Sequence, residues 1–265
     1  MGYDILRYRA HLNQNRELFL LNDKAELASF DLLDNAQLRL ASAVGGATVP
    51  GLKQVVHISP LFHLMLRHSR NAFESVTAYQ SHQAWNAIRP FVEAPLIVGK
   101  WFDDPRSAVI WMSRNSGKAS RKEYKDAYSG DSMKPQSLPN AEIIRNLLVR
   151  LDDDFIYTNA RFYTRAVSFA ANNGRPPNPL ADAQESDPDH RAHLYALLHM
   201  QWFVLKSAGQ MLAAKLGDKP EFKIELEKFQ KEFGPAAAAI ANQNDVHKTV
   251  LTTLGLWPND LLQQH

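Results

Sequence analysis

The chain has 265 residues, no cysteine, 14 prolines and a formal net charge of +2, with 45% hydrophobic and 22% charged residues. These values exclude collagen-like, disulfide-rich and largely disordered proteins, and the missing thiols exclude disulfides, thiolate metal sites and cysteine nucleophiles. Such a chain can bury a full core, fits a reducing cytoplasm, and at near-zero net charge exerts no general pull on nucleic acid or membrane.

Residues 1–20 lack an apolar h-region and a small-residue cleavage site, so they do not read as a signal peptide. The opening Met-Gly is not a myristoylation motif, because Leu6 stands where Ser or Thr is needed. Asn22-Asp23 supplies the cap of a helix that runs to Ala43 and stops at Gly45-Gly46. Residues 54–58 are a weak strand candidate. Ser59-Pro60 opens a helix to Gln80 in the cap-then-proline manner. The next helix covers 83–102 and contains Pro90 and Pro95, which predict a kink near Arg89 or two shorter helices. Asp104-Pro105 opens a short helix to Met112. A polar stretch, 113–136, is expected to hold one helical turn over 122–128. Ser137-Leu138-Pro139 starts a helix with Ile143, Ile144, Leu147, Leu148 and Leu151 as its apolar stripe. Asp152, Asp153 and Asp154 read as the cap of a helix over 154–171.

The segment 174–186, GRPPNPLADAQES, joins glycine, prolines and polarity without any period, and reads as a loop or linker. It divides an N-terminal bundle, 1–173, from C-terminal helices, 187–265, that pack on it within two units or a single domain. The second part opens with a long apolar helix over 188–216, whose stretch 194–205 is too interrupted to cross a membrane. A charged helix over 220–233 carries the stripe Phe222, Leu226, Phe229 and Phe233, and Pro235 starts a last helix to Leu254. The expected architecture is an all-α bundle of about nine helices.

Several chemistries find no motif. The sequence has no GxGxxG, Walker A, HExxH, GxSxG or Glu-x-x-His, and no arginine is followed by histidine at the spacing of helical toxin-type ribonucleases. What stands out is His63, Arg67, Arg70 or Asn71, and Glu74, a polar stripe at helical spacing, followed by Arg89 and Glu93 at i,i+4 inside an apolar run. Charges in such a run must be paired or they cost several kcal/mol. Arg67, Arg70 and Arg89, with His63 and Asn71, could hold a small anion, with Glu74 or Glu93 as the acid-base group. The same residues also suit an ion-pair network that ties two helices together.

RNAFESVTAYQ followed by WNAIRPFVEAPLIVGKWFDDP resembles uncharacterised all-α bacterial domains that carry an Arg-x-x-x-Glu helix before a Trp and an Asp-Pro turn. Arg70 with Glu74, and Arg89 with Glu93, carry the likeness over 61–171. The resemblance implies a bacterial protein, and for some such domains a setting in phage defence or abortive infection. The family's later Ser and His-Pro element is missing, since Ser168 is followed by Phe169, Ala170, Ala171, Asn172 and Asn173.

Asp187, His190 and His193 have the donor types for zinc, but helix capping and exposure explain them better, and no metal or other cofactor is expected. His199, within LLHMQWF, reads as a satisfied core histidine. Arg114, Lys118, Arg121, Lys122 and Lys125 form a basic cluster with Tyr124 and Tyr128 interleaved, the residue types that meet phosphates and bases. The sequence thus supports a cytoplasmic binding or regulatory protein acting on a protein partner or a small anion. Its rivals are an enzyme acting on nucleic acid or nucleotide, and a homo-oligomer subunit that meets its copy through 194–205.

Overall fold

The structure, a computed structural model, describes residues 5–156, 187–218, 220–243 and 245–256. Ten α-helices account for most of them, and the class is all-α as expected. They are α1 (Ile5–Asn22), α2 (Lys24–Ala43), α3 (Ser59–Thr77), α4 (Ser81–Asp103), α5 (Arg106–Ser113), α6 (Lys118–Ala127), α7 (Ala141–Arg150), α8 (Asp187–Leu216), α9 (Pro220–Gln243) and α10 (Asp245–Leu254). A widened π turn, Leu151–Ile156, continues α7 directly. The helix expected over 154–171 and the linker 174–186 lie beyond or largely beyond the described residues, as does Ser168.

The strand candidate becomes one isolated antiparallel bridge between Thr48 and His57. Val49 N–H donates to the Val56 carbonyl at 2.9 Å and Ile58 N–H to the Ala47 carbonyl at 3.2 Å, which closes the loop before α3.

Of the kink or two shorter helices expected at Pro90 and Pro95, the second is overturned, as is the helix start expected at Pro235. α4 runs unbroken through Pro90 and Pro95, and α9 runs through Pro235 where a new helix was expected to start. A proline inside a helix costs a hydrogen bond and crowds the preceding turn, about 3 kcal/mol. In α4 burial outweighs this, because Ile88, Phe91, Val92, Leu96, Val98 and Trp101 are all at or near zero exposure along its length. α9 ends at Gln243, and Asp245 opens α10.

α3 and α4 fold back on each other across the 78–80 turn, and α4 is the central element, touching α3, α5, α7 and α8. α9 lies against α2, and α10 against α8 and α7. One core cluster draws on residues from Phe19 to Leu256, so both sides of the undescribed stretch share it. α8 is buried almost throughout 192–205 by the chain's own helices, so this stretch is not the exposed oligomer surface that the sequence suggested. Glycine permits two close approaches. A Cβ at Gly99 would stand 2.8 Å from Pro135 Cγ, and one at Gly209 would stand 2.0 Å from the Phe222 ring.

Candidate functional site

The α3 stripe faces solvent. His63, Arg67, Arg70, Asn71 and Glu74 are exposed, and α3 buries the opposite face through Phe62, Met65, Ser69, Phe73 and Val76. His63 Nδ1 lies 2.9 Å from the Ser59 carbonyl one turn back, so the ring bonds back onto its own helix. Arg70 makes a two-pronged contact with Asp34 of α2, both nitrogens at 2.7 Å. Glu74 lies 3.5 Å from Arg16 of α1. Arg67 has no ion pair among the described residues. These side chains tie α3 to α2 and α1 separately and do not converge on one pocket.

Arg89 sits elsewhere, half-buried where α4 meets the π turn. Its Nε and Nη2 hold Asp152 at 2.6 and 3.1 Å, and its Nη1 holds Glu93 at 2.8 Å. The hydrogen bonds that Arg89 donates to Asp152, and then the charges of Glu93 and Asp152, outweigh burial and raise its pKa, so the guanidinium is permanently charged. With both carboxylates engaged, Arg89 is a tie between α4 and the turn rather than a free anion receptor. Asp152 is thus an ion-pair partner as well as the residue that the sequence read as a cap.

The basic cluster behaves differently. α6 buries no residue, and Lys118, Arg121, Lys122 and Lys125 all face solvent. Their spacing is i, i+3, i+4, i+7, which places them on one face of the helix. None of the four is ion-paired to a carboxylate among the described residues, since Glu123 is drawn to Arg106 at 3.4 Å. Like charges at i,i+4 destabilise a helix by a few tenths of a kcal/mol per pair, here Lys118–Lys122 and Arg121–Lys125.

Aromatic contacts fix this helix to the bundle. Trp101 Nε1 donates to the Tyr128 hydroxyl at 2.8 Å, and that hydroxyl donates to the Ser107 carbonyl at 2.7 Å. Burial, outweighing these bonds, pushes the Tyr128 phenol up to about 12. Tyr124 stacks on Tyr128 with centroids 4.9 Å apart. Arg114, at the end of α5, places its Cζ over the Trp111 ring, 3.8 Å from the centroid, and donates Nη1 to the Trp111 carbonyl at 2.8 Å. Trp111 in turn meets Trp101 edge to face at 5.6 Å.

The two sequence candidates meet at Tyr124. Its pKa is raised, first by burial and then by Glu93, while Arg114 and Arg89 lower it. Glu93, itself held by Arg89, therefore lies within electrostatic reach of the α5–α6 hairpin, whereas Glu74 pairs with Arg16 on the α3 surface. The Trp111–Arg114 stack was missed from sequence, although its i,i+3 spacing was the available signal.

The histidines do not form a metal centre among the described residues. His190 stacks on Tyr79 at 3.9 Å, and His193 Nδ1 accepts the Trp85 indole N–H at 3.1 Å, while the Asp187 side chain lies outside the described set. His199 is buried as expected, but it is not satisfied. Neither ring nitrogen has a hydrogen-bond partner among the described residues, and burial, with His247 adding a smaller push, lowers its pKa to about 3. No protein-family model matches the chain, and neither a curated protein nor a solved structure matches it significantly.

Proposed function

We propose that this protein is an all-α binding module that holds nucleic acid by its phosphate backbone on the α5–α6 hairpin. The observation that carries this is the exposed stripe Lys118, Arg121, Lys122 and Lys125, without a carboxylate partner among the described residues. Four cations on one exposed helix face repel one another, and a row of phosphates relieves that repulsion and releases counterions. The small-anion reading has less support, because Arg70 and Arg89 are committed to carboxylates. The bacterial defence or stress setting implied by the resemblance fits a module of this kind, in the cytoplasm where nucleic acid is met.

Fluorescence anisotropy with a labelled oligonucleotide tests the proposal. Log affinity should fall linearly with log salt, and replacing Lys118 and Lys122 by glutamine should flatten the slope by about one per cation removed. Absent or salt-independent binding sinks the reading, as does equal binding to anionic vesicles. A second reading, cleavage of the bound strand, takes Glu93 as base rather than Glu74, since its charge is among those that raise the Tyr124 pKa on α6, although Arg89 holds it at 2.8 Å. Under that reading Glu93→Gln abolishes cleavage and leaves binding intact.

A further inference from the structure

We infer that the hairpin selects single strands over duplex, with a nucleobase stacking on the Arg114 guanidinium where it lies over Trp111. This rests on the proposed phosphate-binding role of α6. A duplex needs only charge at the right spacing, and hides its base faces in its own stack. A single strand offers those faces, and stacking on aromatic or guanidinium planes is how proteins hold it without reading its sequence.

The hairpin supplies both parts side by side. Arg114 is a prepared plane. Its Cζ sits over the Trp111 ring, 3.8 Å from the centroid, and one nitrogen is fixed to the Trp111 carbonyl at 2.8 Å, so its rotamers are already restricted before anything binds. Arg114 has no carboxylate partner within ion-pair distance among the described residues, and the side chain keeps partial exposure. Trp111 is held from behind by Trp101, which is itself anchored to Tyr128. Since Tyr128 is the last anchor of α6, the stacking plane and the basic stripe are joined through one chain of contacts. Arg121 lies three residues before Tyr124, on the flank of the stripe that faces the tyrosine pair.

The experiment compares three labelled probes of equal phosphate number: a single strand of about 12 nucleotides, the same strand made abasic at its central positions, and a duplex. The expected order places the intact strand about tenfold tighter than either other probe. Arg114→Lys keeps the charge and loses the plane, so it should weaken the intact strand several-fold and leave the abasic strand and the salt slope unchanged. Thermal melting of that variant checks folding, and if it is unstable Arg114→Met serves, for which the ratio of intact to abasic affinity should fall toward one. Equal affinity for all three probes overturns the stacking inference while the phosphate reading stands. Binding to none of them overturns both.

Discussion

Tyr79 holds a left-handed backbone, φ 62°, directly after α3. Gln80 N–H donates back to Ser75 O and Tyr79 N–H to Val76 O, the pair of bonds that normally ends a helix on glycine. A bulky residue there costs about 1–2 kcal/mol. What offsets it is the stack on His190, interplanar angle 11°. Tyr79→Gly should therefore be more stable than Tyr79→Ala by about 1 kcal/mol in urea unfolding, despite its smaller side chain. The reverse order would mean that the backbone carries no strain. His199 makes a second residue-scale prediction. Its folded pKa, about 3, lies below the ordinary 6.5. Above pH 6.5 the ring is neutral in both states; below it the unfolded chain takes a proton that the folded chain refuses. Stability is thus complete above 6.5 and drains away as pH falls toward 3, by about 2 kcal/mol between pH 7 and 5. His199→Leu should flatten that dependence in urea midpoints, and an unchanged dependence would assign it to other groups. Burial of His199 was legible from its apolar neighbours, but its lack of partners among the described residues was not, because partners come from helices distant in sequence.

At the scale of elements, most helix starts could be read from their prolines and caps. Ser59-Pro60 opens α3, and the α8 and α9 openings fall within a residue of Asp187-Pro188 and Pro220. The same rule failed at Pro90, Pro95 and Pro235, where tertiary burial outweighs the local penalty. The polar stripe on α3 was legible as a stripe, but its direction was not. Periodicity gives the angle between faces and leaves open which one meets the core. Asp152 shows the same limit, since a cap and an ion-pair partner look alike until α4 is placed beside the π turn. Because the Arg89 triad is only half-buried, Asp152→Ala should cost about 1–2 kcal/mol, less than breaking a fully buried pair. In a double-mutant cycle, Arg89→Met should recover part of that loss. Arg89→Met should also leave nucleic-acid affinity within about twofold, as expected of a tie outside the phosphate stripe.

Across the whole molecule, the class was fixed by helical period, and the shared core was foreshadowed only by the alternative of a single domain. The core runs from Phe19 through Trp85, Trp101 and Trp202 to Phe229, so unfolding should be one cooperative transition by circular dichroism and intrinsic fluorescence alike. Gly209→Ala probes this at the α8–α9 contact. Its added methyl would meet the Phe222 ring, and the overpacking should lower global stability by about 1–3 kcal/mol without a separate early phase.

Inside that core a thread of polar atoms crosses three helices. Gln37 Nε2 donates to Ser69 Oγ at 2.9 Å, and Ser69 Oγ donates to Gln201 Oε1 at 3.1 Å, all three side chains being buried. Apolar contact is indifferent to a small slide or roll of one helix along another, whereas a hydrogen bond is directional and short. The thread therefore works like the pin of a tumbler lock. Around it the apolar residues of α2, α3 and α8 are free to drift in sequence at constant volume, provided that these three polar groups keep their register.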